Sequence, residues 1–283
     1  MFGGGRRGNR GGLGIWLLVY QVLNMGLEHI PPVTLVLMLA QVAIFLGFVP
    51  DLDPMYATGR LCIRPDRIFF RKEWWRLLAG TFMHASDMHL YYNMVSFLYK
   101  GRRLEKKLGS SYFAYLVAVF SILTNVIIVA LSVGLEEKLG FRDFHLMQQC
   151  AIGFSGVIFA LKVLCNHYFP HDDSYLMGFL PVSSKYMCWA ELLLIQFLVP
   201  NASFIGHLAG IVVGVLYTSG PLRGLMNIFM QENNYRPRPS RSNNEEYSWW
   251  GEQTRNRPRF TRTSGTWGED RHHSTQPRYA PGN

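Results

Sequence analysis

Three short stretches carry side chains able to do chemistry. Ser155 lies between glycines in Gly153-Phe154-Ser155-Gly156, His207 lies in Gly206-His207-Leu208-Ala209-Gly210, and His89 precedes Asn93 in His84-x4-His89-x3-Asn93. A serine hydroxyl is a weak nucleophile unless a neighbouring base takes its proton. The chemistry these residue types suggest is attack by Ser155 with His207 as general base. The oxyanion would then be met by the Ser155 backbone N–H together with His89 and Asn93.

Each of these stretches opens an apolar run, so the elements that position them come next. Of 283 residues, 49% are hydrophobic and only 17% are charged. The apolar runs crowd between residues 32 and 220, while the end of the chain is almost free of aliphatic side chains. That distribution is one of a small membrane protein. The net charge of +9 does not indicate a nucleic-acid partner, because Arg6, Arg7 and Arg10 flank the first apolar stretch and nine arginines sit beyond residue 230. Basic flanks are ordinary for membrane segments.

Residues 1–12 are Gly- and Arg-rich and are expected to be disordered. Residues 13–30 start with an apolar run shorter than the ~20 residues a spanning helix needs, which reads as an interfacial helix, with a spanning seventh segment as the alternative. The first full span runs from Pro32 to Pro50, and the loop 51–83 ends in Phe69-Phe70-Arg71-Lys72-Glu73-Trp74-Trp75-Arg76, a composition suited to the headgroup level. Span two starts near Met88 and exits into residues 100–107, where five of eight side chains are basic, which marks that end as cytosolic. Spans three to six cover about 108–135, 152–168, 186–199 and 204–219.

With both termini in the cytosol, spans two, four and six all enter from the opposite face, and each begins with one of the polar motifs. His89, Ser155 and His207 therefore share one depth. His89 and Asn93 also share a helix face, and so do Ser155, Phe159 and Lys162. Gly156 and Ala160 stand beside that face, and Gly206, Gly210 and Gly214 form a small-residue groove that lets helices approach closely.

Other intramembrane chemistries lack their residues. There is no H-E-x-x-H pattern, and Glu191 is a lone carboxylate within the spans, so neither a metal nor a cofactor is called for. Lys162 is too deep to serve Ser155 and instead snorkels toward the cytosol or pairs with Glu191. The cysteines show no C-x-x-C spacing; Cys165 and Cys188 read as buried apolar residues. Cys62 and Cys150 face the same non-cytosolic side, which leaves a bridge geometrically open.

Taken together, His84-x4-His89-x3-Asn93, Trp75-Arg76, Gly153-x-Ser155-Gly156 and Gly206-His207-x2-Gly210 resemble the rhomboid family of intramembrane serine proteases. The resemblance implies an all-α membrane protein, a rhomboid-like bundle of six transmembrane helices over residues 31–222, with a disordered cytosolic C-terminal tail at 223–283. It also implies a catalytic pair, Ser155 as nucleophile and His207 as general base without a third acid. His89, Asn93 and the Ser155 N–H would bind the oxyanion, and Phe159, Gly153 and Gly156 would support the site. Transmembrane proteins would be the substrates, the bilayer the setting, and the endoplasmic-reticulum membrane the expected location. Phe159 stands where the family commonly has tyrosine, and Phe154 where it has a small residue. In the tail, Trp250-Gly251-Glu252-Gln253 with Pro258-Arg259-Phe260 is imperfectly repeated at Trp267-Gly268-Glu269-Asp270 with Pro277-Arg278-Tyr279, a pattern that could dock a cytosolic partner. The competing reading is a catalytically silent relative that binds and routes membrane clients.

Overall fold

The computed structural model describes residues 12–52, 54–170, 175–176, 180–200 and 202–230. The expectations for residues 1–11, for 231–283 and for the tail repeat lie outside the described residues. The helices, in chain order, are α1 (Leu13–Met25), α2 (Pro32–Phe45), α3 (Pro54–Leu61), α4 (Pro65–Arg71), α5 (Arg76–Ala79), α6 (Asp87–Leu108), α7 (Ser110–Val133), α8 (Ser155–Tyr168), α9 (Ser184–Leu198), α10 (Phe204–Thr218) and α11 (Pro221–Met230). Two-residue strands, β1 (Tyr175–Leu176) and β2 (Leu180–Pro181), pair antiparallel between α8 and α9, and Ile63 bridges Ala151, small departures from an all-helical expectation.

Local sequence sets these boundaries. Proline is the first residue of α2, α3, α4 and α11, where its missing N–H has no helical partner to lose. Serine caps the two helices that carry His89 and His207: Ser86 Oγ accepts the His89 N–H at 3.1 Å and Ser203 Oγ accepts the Gly206 N–H at 3.1 Å. Each cap satisfies a free N–H and fixes the first turn beside a candidate site residue. Gly109, at φ +85°, separates α6 from α7.

The core forms where α6, α7 and α8 meet. Leu90, Met94, Phe97, Leu98 and Leu104 line one stripe of α6 at helical spacing and are all fully buried. Phe113, Leu116 and Phe120 of α7 and Leu161 and Leu164 of α8 are equally buried, in the same cluster. Glu105 closes the far end. Its carboxylate accepts hydrogen bonds from the Val33 N–H at 2.9 Å, the Thr34 N–H at 2.8 Å and the Thr34 hydroxyl at 2.7 Å. It thereby satisfies the first turn of α2, where free N–H groups and the helix dipole both favour an anion.

Among the described residues one helical segment, Ser110–Lys138, is long and apolar enough to cross a membrane by itself, and the bent pair Phe204–Thr218 and Pro221–Phe229 meets the same standard together. α1, α2 and most of α9 are shorter apolar helices.

One expectation is corrected, and the 13–30 segment, expected as an interfacial helix with a spanning seventh segment as the alternative, acquires a packing partner. α1 runs alongside α6 in the same direction: the Gly14 N–H donates to Asp87 Oδ2 at 3.0 Å, and the Gln21 amide donates to the Tyr99 hydroxyl farther along. The reason is a face of Gly14, Leu18 and Gln21, all buried, that fits the α6 backbone; a Cβ on Gly14 would stand 2.5 Å from the Asp87 carbonyl oxygen. α1 therefore starts at the end of α6 that carries His89. The correction concerns residues 223–230, which are helix rather than disordered tail. α11 turns 72° from α10, buries Leu222 and Met226, and places Asn227 Oδ1 to accept from the Tyr112 hydroxyl at 3.3 Å. Tyr112 and Tyr217 share a further hydrogen bond at 3.0 Å.

Candidate active site

Ser155 is the first residue of α8 and His207 lies in the first turn of α10. The two helices can meet because small residues line the seam. A Cβ on Gly156 would lie 3.0 Å from the Gly206 carbonyl oxygen, and one on Gly214 would lie 2.9 Å from the Ala160 carbonyl oxygen. On Gly210 it would be driven into the Gly156 carbonyl oxygen. Backbone-to-backbone approach of this kind sets the result: His207 Nε2 stands 2.9 Å from Ser155 Oγ, a full hydrogen bond between residues 52 apart in sequence.

The His207 ring is 6% exposed and stacks on Phe159 at 4.7 Å between centroids, with 28° between planes. Nδ1 meets no hydrogen-bond partner among the described residues, so ring stacking rather than a third side chain orients the base. Phe159 is one turn past Ser155 on the same helix, as its spacing requires.

His89 packs on the segment leading to the serine. Gly153 has φ +110°, and a Cβ there would lie 2.8 Å from His89 Cε1, so this position needs glycine both for its backbone and for room. His89 Nδ1 accepts the Ala85 N–H at 3.3 Å, which leaves Nε2 as the nitrogen facing the Gly153 side. Asn93 is buried one turn farther on α6. Its Nδ2 donates to the His89 carbonyl at 2.8 Å, within its own helix, and its Oδ1 is unpartnered among the described residues. The structure thus brings Ser155, His207, Phe159, Gly153, Gly156 and His89 together and sets Asn93 beside them with its amide turned to the backbone. His84 is buried edge-on against His89, with centroids 5.1 Å apart.

A small cavity of ≈ 20 Å³ reaches Ser155 from the α7 side, lined by Thr81, Thr124, Asn125, Gly153 and Ser203 among others. Asn125 belongs to none of the three sequence motifs. Its amide donates to the Leu77 carbonyl and, at 2.7 Å, to Thr81 Oγ1, tying α7 to the turn behind Gly153. The available signal was an asparagine inside the most apolar run of the chain, a costly placement.

The segment before the serine is held from outside as well. Cys62 and Cys150 form a disulfide, with Cα atoms 5.4 Å apart. Next to it the Ile63 N–H donates to the Ala151 carbonyl at 2.8 Å and the Ala151 N–H returns a bond at 3.0 Å. Arg76 Nη1 donates to the Cys62 carbonyl at 3.0 Å while Nε donates to Glu73 at 2.5 Å. That hydrogen bond holds the Glu73 carboxyl below its usual range. Deeper in the bundle Lys162 and Glu191 form an ion pair linking α8 to α9. Among the described residues no group of His, Cys, Asp or Glu is placed to hold a metal.

Residues 71–223 match the Rhomboid domain, a stretch that contains all of these candidate site residues. The chain is 47% identical over 214 residues to Rhomboid-related protein 4 of Mus musculus, covering 76% of this chain and 65% of that protein. It is 38% identical over 218 residues to Rhomboid-like protein 14, mitochondrial, of Arabidopsis thaliana, covering 76% and 64%. Over 193 residues it is 27% identical to Rhomboid protease GlpG of Salmonella paratyphi A, covering 66% and 62%. The chain thus spans slightly less than two thirds of the length of these curated relatives. Since the domain match takes in more than half of its 283 residues, the chain belongs to the rhomboid family, whose members are membrane proteins.

Proposed function

We propose that this protein is an intramembrane serine endopeptidase that hydrolyses peptide bonds in or next to the transmembrane segments of other membrane proteins, in the service of membrane-protein quality control. The observation that carries the reading is the 2.9 Å contact of His207 Nε2 with Ser155 Oγ, with the imidazole stacked on Phe159. Ser155 Oγ attacks the scissile carbonyl carbon, and His207 takes its proton and delivers it to the leaving amine. Water then resolves the acyl-enzyme with His207 again as base. The tetrahedral oxyanion is met by the Ser155 N–H and His89, with Asn93 joining once its amide turns away from the His89 carbonyl. Hydrogen bonds of this kind commonly tighten only in the substrate complex.

The membrane placement follows the same reading. α2 and α6–α10 form the six-segment spanning core, with Arg102, Arg103, Lys106 and Lys107 at its cytosolic end. The disulfide at the other end suits an oxidising compartment. Both features are compatible with the endoplasmic-reticulum membrane, and the reading of that location rests on the resemblance of the motifs of this chain to rhomboid domain-containing protein 1, an endoplasmic-reticulum member of the family.

The test is cleavage of a single-span membrane substrate by purified protein in detergent, with labelling by a fluorophosphonate probe in parallel. Wild type is expected to cut and to label, and Ser155→Ala and His207→Ala to do neither while remaining folded. Equal labelling of wild type and Ser155→Ala would remove Ser155 as nucleophile. A folded wild type that neither cuts nor labels, yet retains client proteins, would establish the silent alternative.

A further inference from the structure

Resting on the protease reading above, the geometry points to a role in turnover for the Cys62–Cys150 disulfide: we propose that it is a positioning element for Ser155, and that its reduction by a dithiol reversibly lowers the rate. Four residues separate Cys150 from Ser155, and no helix lies between the two. Along those residues the chain is tied in sequence. Cys150 is bonded to Cys62, Ala151 exchanges two backbone hydrogen bonds with Ile63, and the Gly153 N–H donates to the Gly80 carbonyl at 3.0 Å. Phe154 is fully buried, edge-on to Phe97 at 5.0 Å.

These ties act on one half of the site. The Ser155 hydroxyl is held to His207 by the α8–α10 seam, which the disulfide does not touch. The Ser155 N–H and the contact of Gly153 with His89 depend on how the 150–154 segment is laid against residues 62–63 and 80. The disulfide therefore bears on the oxyanion donors rather than on the nucleophile and its base. Access is one-sided: Cys62 is fully buried, anchored through its carbonyl by Arg76, and Cys150 is exposed. A dithiol attacking at Cys150 Sγ forms a mixed disulfide and releases the Cys62 thiolate, which takes up a proton. The second thiol of the reagent then displaces Cys150. The reagent leaves as its own disulfide, and two cysteine thiols remain.

The experiment uses full-length protein carrying Cys165→Ala and Cys188→Ala, so that the bridge is the only target of the reagent. kcat and KM on the single-span substrate, fluorophosphonate labelling and thermal midpoint are measured oxidised, after dithiothreitol, and after reoxidation with oxidised glutathione. Reduction is expected to lower kcat about tenfold with KM nearly constant, short of the ~10²- to 10³-fold loss that follows deletion of an oxyanion donor. Reoxidation should restore the rate. Adding Cys62→Ser and Cys150→Ser should give the reduced rate whether or not dithiothreitol is present. Undiminished kcat in the reduced, folded protein, with only a lower thermal midpoint, would reduce the bridge to a staple and overturn the proposal. Should the double serine variant fail to fold, reduction of the folded protein still decides. If the oxidised protein shows neither cleavage nor labelling, the protease reading itself falls, and this role falls with it.

Discussion

His207 is oriented by what its ring touches rather than by a hydrogen-bonded carboxylate. Phe159 supplies that surface from one turn along the serine helix, so the ring face matters and a hydroxyl on it does not. Phe159→Tyr is expected to retain turnover. Phe159→Ala should lower kcat by at least about tenfold, toward the ~10²- to 10⁴-fold that general base catalysis contributes. A Phe159→Ala enzyme with wild-type kcat would show that the stack is incidental. His84, in the turn before α6, gives a different readout. Burial, with His89 beside it, pushes its pKa from 6.5 down to about 3. As the pH falls from 6.5 toward 3, the unfolded chain gains a proton that the folded protein refuses, so stability is lost over that window and is fully present above it. His84→Gln should flatten the decline of the thermal midpoint with acid. An unchanged slope in the variant would assign the acid sensitivity elsewhere.

Among the elements, the seam between α8 and α10 governs the site. A methyl group added at Gly210 has nowhere to go except into the Gly156 carbonyl, so the helices must part and carry His207 away from Ser155. Gly210→Ala is expected to cost ~1 to 3 kcal/mol of stability through overpacking and to lower activity further than stability alone explains. Gly224→Ala in α11 meets nothing within 4 Å and serves as the matched control. The ion pair between α8 and α9 is testable by a double-mutant cycle. Lys162→Met and Glu191→Gln should each destabilise, and together by ~0.5 to 3 kcal/mol less than their sum. Strict additivity would mean that the two residues do not interact energetically.

How far the sequence exposed these features depended on what each residue stood out against. Ser155, His207, His89 and Asn93 were legible because polar groups are conspicuous in apolar runs, and alternating the expected spans put them at one end of the bundle, where Ser155, His207 and His89 do meet. The Lys162–Glu191 pair was legible for the same reason. Glu105 and Asn125 were harder, since their partners lie 71 and 72 residues away in one case and 44 and 48 in the other, and only the folded chain shows a carboxylate capping α2. Cys62 and Cys150 could be assigned to one side of the bilayer but not to each other, because co-facial placement does not fix a Cα–Cα distance. α11 was overlooked because it was joined to the polar chain beyond residue 230, although Leu222, Leu225, Met226 and Phe229 carried its apolar period. The packing of α1 on α6 was not legible because a short helix that is apolar nearly all round shows no single face to dock.

For the molecule as a whole, the direction of α1 matters most. Gly12 and Gly14 abut Asp87, at the end of α6 that carries His89, and α2 begins at Glu105, at the opposite end. α1 and α2 thus form a helical hairpin whose closed tip is at the basic end of the bundle. An epitope fused ahead of Gly12 and another placed after Met230 are expected to answer differently to protease added outside sealed microsomes: the first protected, the second digested. Digestion of both without detergent would return α1 to the cytosolic surface. The parity of the chain is at stake in that assay. If α1 accompanies α6 through the bilayer, it adds one crossing to the six proposed, so anything joined to its front shares a compartment with the Ser155–His207 end of the bundle, and anything joined to its back is screened from it.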